Sequence, residues 1–175
     1  FADLLAVWWR RTGGWPIYAS PETMKTLRTM YGWAFESGKA RTGYVRPEPH
    51  EATEPFRVGS VLATPLPVDH AAVDTCAYML ESGGMRLVYM PDVKSIPEAS
   101  LERMKGADLL IIDGLRYDLH PTHMCLDESL AAIRAIEPGQ AFLTHLSHNM
   151  DYRILSGRLP ENVGAAYDGL RLSLP

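Results

Sequence analysis

Apolar positions along this chain fall into short runs, each closed by glycine, proline or a charged side chain, and their spacing changes from one region to the next. "ADLLAVWWRRTGG" has helical spacing and stops at Gly13–Gly14, whereas "WPIYAS" is long enough only for a strand. "SPETMKTLRTMYG" carries a helix-start signature, with Ser20 as cap, Pro21 in the first position, Glu22 next and Gly32 as the stop. Residues 35–58 are polar and punctuated by glycine and proline, which predicts loop with one strand around "TGYVRPEPH". From residue 59 the pattern turns to strands: "SVLATPLPV", "TCAYMLES", a Gly83–Gly84 turn, and "MRLVYMPD". Strands and helices then alternate. "SIPEASLERMKG" reads as helix, "ADLLIIDG" as buried strand, "LDESLAAIRAIEPG" as amphipathic helix ending near Gly139, and "QAFLTH" as strand. A last short helix and the strand "YDGLRLSL" close the chain. Hairpin-linked strands followed by strand–helix alternation predict an α/β fold, a mixed sheet covered by helices. With no internal repeat and no low-complexity linker, residues 1–175 are expected to form a single domain.

Composition changes this picture little. At 46% hydrophobic and 22% charged, the chain is of ordinary globular type. A net charge of −4 argues against an extended nucleic-acid-binding surface, since such a surface needs many lysines and arginines facing phosphates. Cys76 and Cys125 lack CxxC spacing, which argues against a thiolate zinc site and a disulfide framework. The longest apolar stretches are far short of the roughly 20 residues a membrane span needs, so no membrane partner is expected. No signal peptide is visible and a cytoplasmic location is expected. The chain opens with Phe1 inside an amphipathic segment, which suggests a piece of a longer protein.

The candidate chemistry collects where apolar strands run out. His70 ends "PLPVDH", Asp92 ends "LVYMPD", Asp113 follows "LLII", and His145 ends "FLTH". An aspartate at a strand-to-loop transition is often only turn chemistry. The repetition of apolar run followed by histidine or aspartate instead describes a rim lined with imidazole and carboxylate donors, the types that suit zinc, manganese or iron. Four of the six histidines lie between residues 120 and 148, in "HPTHMCLDESL" and "LTHLSH". Among them His123 immediately precedes a predicted helix, a place suited either to capping or to meeting a substrate oxyanion. The sequence has no GxSxG elbow, no GxxxxGK[ST] loop, no GxGxxG and no HExxH.

Taken in order, "PLPVDH", "LVYMPD", "HPTHMCLDESL", "LTHLSHNMDY" and "AYDGLRLSL" resemble the metallo-β-lactamase-fold hydrolases. They are most similar to the branch holding the phosphodiesterase of the phosphonate-breakdown pathway and ribonuclease Z. The resemblance implies an αββα sandwich, of which this chain would be the C-terminal two-thirds. It also implies two divalent metal ions, zinc or manganese, in the complete protein. His70, Asp92 and His145 would be metal ligands, with Asp92 bridging both ions. His123 would contact phosphate and protonate the leaving group, while His120, His148 and Asp151 would stand around the substrate or behind the ligands. Cys125 stands where the family usually has serine or threonine, which puts the local helix cap in question. The family's main ligand motif, HxHxDH, is absent. Either the chain is part of a longer hydrolase, the reading preferred, or it is a homologue that has lost its metals. The implied activity is hydrolysis of a small phosphodiester, with possible homodimerisation. The alternatives are a ribonuclease Z-like RNA endonuclease and a metal-free module of the same fold.

Overall fold

The computed structural model of the chain describes residues 14–36 and 46–173. The predicted helix over "ADLLAVWWRRTGG" therefore lies, but for its last glycine, outside the described residues. The chain divides into two compact units between Thr53 and Glu54.

The first unit contains a strand β1 (Trp15–Ala19), helix α1 (Pro21–Met30), a short helix α2 (Gly32–Phe35) and strand β2 (Pro47–Glu51), with β1 and β2 parallel. Helix α1 starts as its sequence predicts: the Ser20 hydroxyl accepts from the Thr23 N–H (3.2 Å) and Pro21 occupies the first turn. Its end differs from expectation. The helix stops at Met30, and Gly32 opens α2 rather than terminating α1.

The second unit is built on a seven-stranded sheet in sequential order. Its strands are β3 (Phe56–Val58), β4 (Val61–His70), β5 (Val73–Ser82), β6 (Met85–Met90), β7 (Leu109–Asp113), β8 (Gln140–Thr144) and β9 (Val163–Ala165). The first four pair antiparallel, and β6 to β9 run parallel. Gly83 and Gly84 both take positive φ (60° and 84°), which a two-residue hairpin loop with right-twisted strands requires. Parallel neighbours need crossovers, and helices α3 (Glu98–Met104), α4 (Leu126–Ile136) and α5 (Tyr152–Ser156) supply them. One core joins Val68, Val88 and Met90 from the hairpin strands to Leu110, Ile112, Ala141 and Leu143 from the parallel ones. Met104, Ile133, Ile136 and Leu155 pack on it from the helices.

The predicted closing strand "YDGLRLSL" is not a strand. Among the described residues the last strand is Val163–Ala165, earlier in sequence, and residues 167–170 form a turn closed by the Leu170 N–H on the Tyr167 carbonyl (3.0 Å). Asp168–Gly169 is turn chemistry, with Gly169 at φ 88°. Small residues fit the edge strand better, because a Cβ on Gly164 would lie 2.6 Å from the Phe142 ring. Among the described residues, no helix is long and apolar enough to cross a membrane.

Candidate metal and phosphate site

Two antiparallel steps separate β4 from β6, so both run the same way as β7 and β8. The C-terminal ends of β4, β6, β7 and β8 therefore share one edge of the sheet. His70 is the last residue of β4, Asp92 lies just past β6, Asp113 is the last residue of β7, and His145 follows β8. Four residues spread over much of the sequence reach one rim by topology alone.

Backbone straps bring the intervening loops in. The Asp69 carbonyl accepts from Lys94 N–H (2.7 Å), its N–H donates to Ser95 O (3.0 Å), and the Ser95 hydroxyl donates to its carboxylate (2.6 Å). Asp92 is thereby drawn toward the end of β4. The Met124 N–H donates to Val93 O (2.8 Å), which draws in the segment carrying His123. Lys94 closes the same frame through an ion pair with Glu128 of α4 (2.6 Å). Burial tends to raise the Glu128 carboxyl, but Lys94 and the Cys125 N–H (2.9 Å) outweigh it and hold the group below its ordinary value. That last bond also answers the question of the cap: Cys125 occupies the cap position of α4, and Glu128, three residues on, returns to its backbone.

At the centre is Asp113, fully buried at 0% exposure. Its Oδ2 accepts from His123 Nδ1 (2.7 Å) and from Val93 N–H (3.2 Å). Its Oδ1 is buried without a hydrogen-bond partner and lies 3.6 Å from His145 Nδ1. The His70 Nδ1 donates to the Thr122 carbonyl (2.7 Å), since a carbonyl can only accept; its Nε2 lone pair is then free to act as a ligand. The His123 ring sits between two others, 4.5 Å from His70 and 4.8 Å from His145 between centroids. His145 Nε2 lies 3.8 Å from Asp92 Oδ1. Two sets of donor atoms, each mutually within 4.8 Å, result: His70, Asp92 and His123; and Asp113, His123 and His145. Nitrogen and carboxylate donors with an orphaned buried oxygen fit a divalent cation of the zinc or manganese type.

Of the three residues expected as ligands, His70 and Asp92 share one donor set, and His145 belongs to the other, with its Nε2 3.8 Å from Asp92. His123 departs from expectation, because its ring reaches into both donor sets instead of standing apart from them. His120 lies behind it, with Nδ1 accepting from the backbone N–H groups of Thr122 and His123 (3.3 Å each). Its partial burial and then the nearby Arg116 cation lower its pKa, which favours the neutral ring these bonds need. Asp151 is exposed and caps α5, accepting from Arg153 and Ile154 N–H (2.9 and 3.0 Å). His148 is exposed, and among the described residues it makes no hydrogen bond or ion pair with the cluster. Asp113 had stood among the strand-end residues without a role. The missing signal was its partner, ten positions on in the same loop-to-helix segment.

The family model described as the beta-lactamase superfamily domain matches residues 1–146. The chain belongs to that family. Its fold is of the metallo-β-lactamase type: the crystal structure of a diphosphatase from the PhnP family is 28% identical with a TM-score of 0.81, covering 94% of this chain and 60% of that one. Zinc-bound PqqB from Methylobacterium extorquens, 22% identical, matches the fold with a TM-score of 0.73 over 99% of this superfamily member and 69% of its own chain. A curated relative, the octanoyltransferase of Porphyromonas gingivalis (strain ATCC BAA-308 / W83), is 26% identical over 96% of the chain. The match spans only 34% of that longer protein.

Proposed function

We propose that this chain carries part of the active site of a metal-dependent phosphodiesterase acting on a small substrate. The observation that carries the reading is the Asp113–His123 pair: a fully buried carboxylate holds the imidazole Nδ1 at 2.7 Å, and His123 belongs to both donor sets. Bound divalent ions, zinc or manganese, held by His70, Asp92 and His145, would supply Lewis acidity and an activated water.

The rest is work for the chain's own side chains. Asp113 fixes the tautomer and tilt of His123, so that Nε2 can carry a proton toward the leaving oxygen of the ester. Thr122 does the same for His70 through its carbonyl. The Asp69–Ser95 strap and the Lys94–Glu128 pair keep Asp92 in place without spending its oxygens. The diphosphatase relative supports a phosphoester substrate, and the chain's net charge of −4 favours a small one over RNA. The octanoyltransferase name belongs to a protein of which about two thirds lies outside the match, and no residue of the cluster suggests acyl transfer.

The test is His123→Ala in the full-length protein. Metal content should stay unchanged, and turnover of an alkyl phosphodiester should fall by about 10²–10⁴-fold. A nitrophenyl ester, whose leaving group departs without a proton, should lose much less. Equal losses for both esters would reduce His123 to positioning phosphate, and a lost metal ion would make it a ligand.

A further inference from the structure

Between β7 and α4 the chain makes a loop that is pinned at its base, where the Arg116 carbonyl accepts from the Leu126 N–H (2.9 Å). The Arg116 side chain also braces the loop from within. Its Nε donates to the Asp118 carbonyl (3.2 Å) and its Nη2 to the Leu119 carbonyl. Neither carbonyl belongs to a helix or a strand, so the side chain supplies the partner that regular structure does not. A guanidinium suits the task, because its planar fork presents donors in fixed directions and grips two neighbouring carbonyls at once.

The residue after that grip is His120. It precedes Pro121, which steers its backbone away from the helical region and stiffens the loop there. Its Nδ1 accepts from the Thr122 and His123 N–H groups (3.3 Å each), which requires that this nitrogen carry no proton. His123 is therefore held twice, at its ring by Asp113 (2.7 Å) and at its main chain by His120. A ring fixed at one nitrogen alone can still pivot with its backbone.

We propose that Arg116 and His120 are positioning residues that act in series on His123. Arg116 fixes the course of the loop, His120 passes that fix to the His123 N–H, and this clasp keeps the imidazole in line with the leaving oxygen. The inference rests on the phosphodiesterase reading, in which His123 delivers the proton. Such delivery depends on placement, since a shift of about 1 Å at a reacting group can cost about 10²-fold in rate.

The metal-loaded, full-length protein tests this with the alkyl and nitrophenyl phosphodiesters. Arg116→Ala and His120→Ala should each lower kcat for the alkyl ester by about 10–100-fold, the usual effect of removing a group behind a site. KM, metal content and nitrophenyl turnover should change little. His120→Asn should keep most of the rate, because its amide oxygen can replace Nδ1 as the acceptor. The double alanine variant should be no slower than the slower single one, as residues in series require. A parent-like rate in either alanine variant, equal losses on both esters, an Asn variant as slow as the Ala one, or multiplied losses in the double variant would each overturn the proposal. Hydrogen exchange at the His123 amide reads the clasp without substrate. Both alanine variants should speed it by about tenfold, the worth of one hydrogen bond, and unchanged exchange would overturn the clasp. If the parent protein turns over neither ester, the phosphodiesterase reading fails by itself, while amide exchange still decides the clasp.

Discussion

At Asp113 a single carboxylate oxygen receives both an imidazole and a backbone N–H, while the other oxygen waits beside His145 with no hydrogen bond. Asp113→Asn keeps the shape and can keep both accepted bonds, while it removes the charge and the free acceptor oxygen beside His145. We expect the melting temperature to change little while phosphodiester turnover falls by about 10–100-fold, the usual cost of losing a group that orients a site from behind. Unchanged turnover would mean that the hydrogen bonds alone orient His123. Residue type and strand-end position made His70, Asp92 and His145 legible in the sequence. Asp113 was visible but ambiguous, because an aspartate ending a strand is as common in turns as in sites. What decides its role is total burial next to His123, and burial of a polar group depends on the packing of distant segments. Asp151 shows the reverse case. It sits in a motif rich in histidine, yet its carboxylate is occupied by the first amides of α5.

The elements that carry these residues were largely readable because their signals are local. Apolar runs of strand length mark β4 to β8, paired glycines mark the β5–β6 turn, and the periodic segment from Leu126 to Ile136 is helix. The edge strand was misplaced because "YDGLRLSL" alternates like a strand, whereas Val163–Ala165 is too short and too small in side chain to signal. Its position is dictated by fit against Phe142, a tertiary fact. Close approach also rules at Gly114, directly after Asp113. A Cβ there would stand 3.0 Å from the Leu143 Cβ, and Leu143 is fully buried with nowhere to yield. Gly114→Ala should therefore push β7 from β8 at the very level of Asp113 and His145. We expect a loss of about 1–3 kcal/mol in urea unfolding, the range for overpacking a tight core. An unchanged midpoint would show that the strand ends adjust freely.

On the scale of the whole molecule, the seven-stranded sheet has two unlike halves. Strands β4 to β6 meet through tight turns, but β7, β8 and β9 each wait for a crossover through a helix. Chain closure over long segments is slow, so local hairpins form before non-local parallel pairs. In pulse-labelled hydrogen exchange during refolding, amides of β4 to β6 should gain protection before those of β7 to β9. Simultaneous protection of both halves would contradict this order. The donor cluster draws on both halves, His70 and Asp92 from the early one and Asp113, His123 and His145 from the late one. A chain arrested after its hairpins would carry His70 and Asp92 without the other three donors. On the proposed reading, hydrolysis of a phosphodiester would therefore report completed folding of both halves.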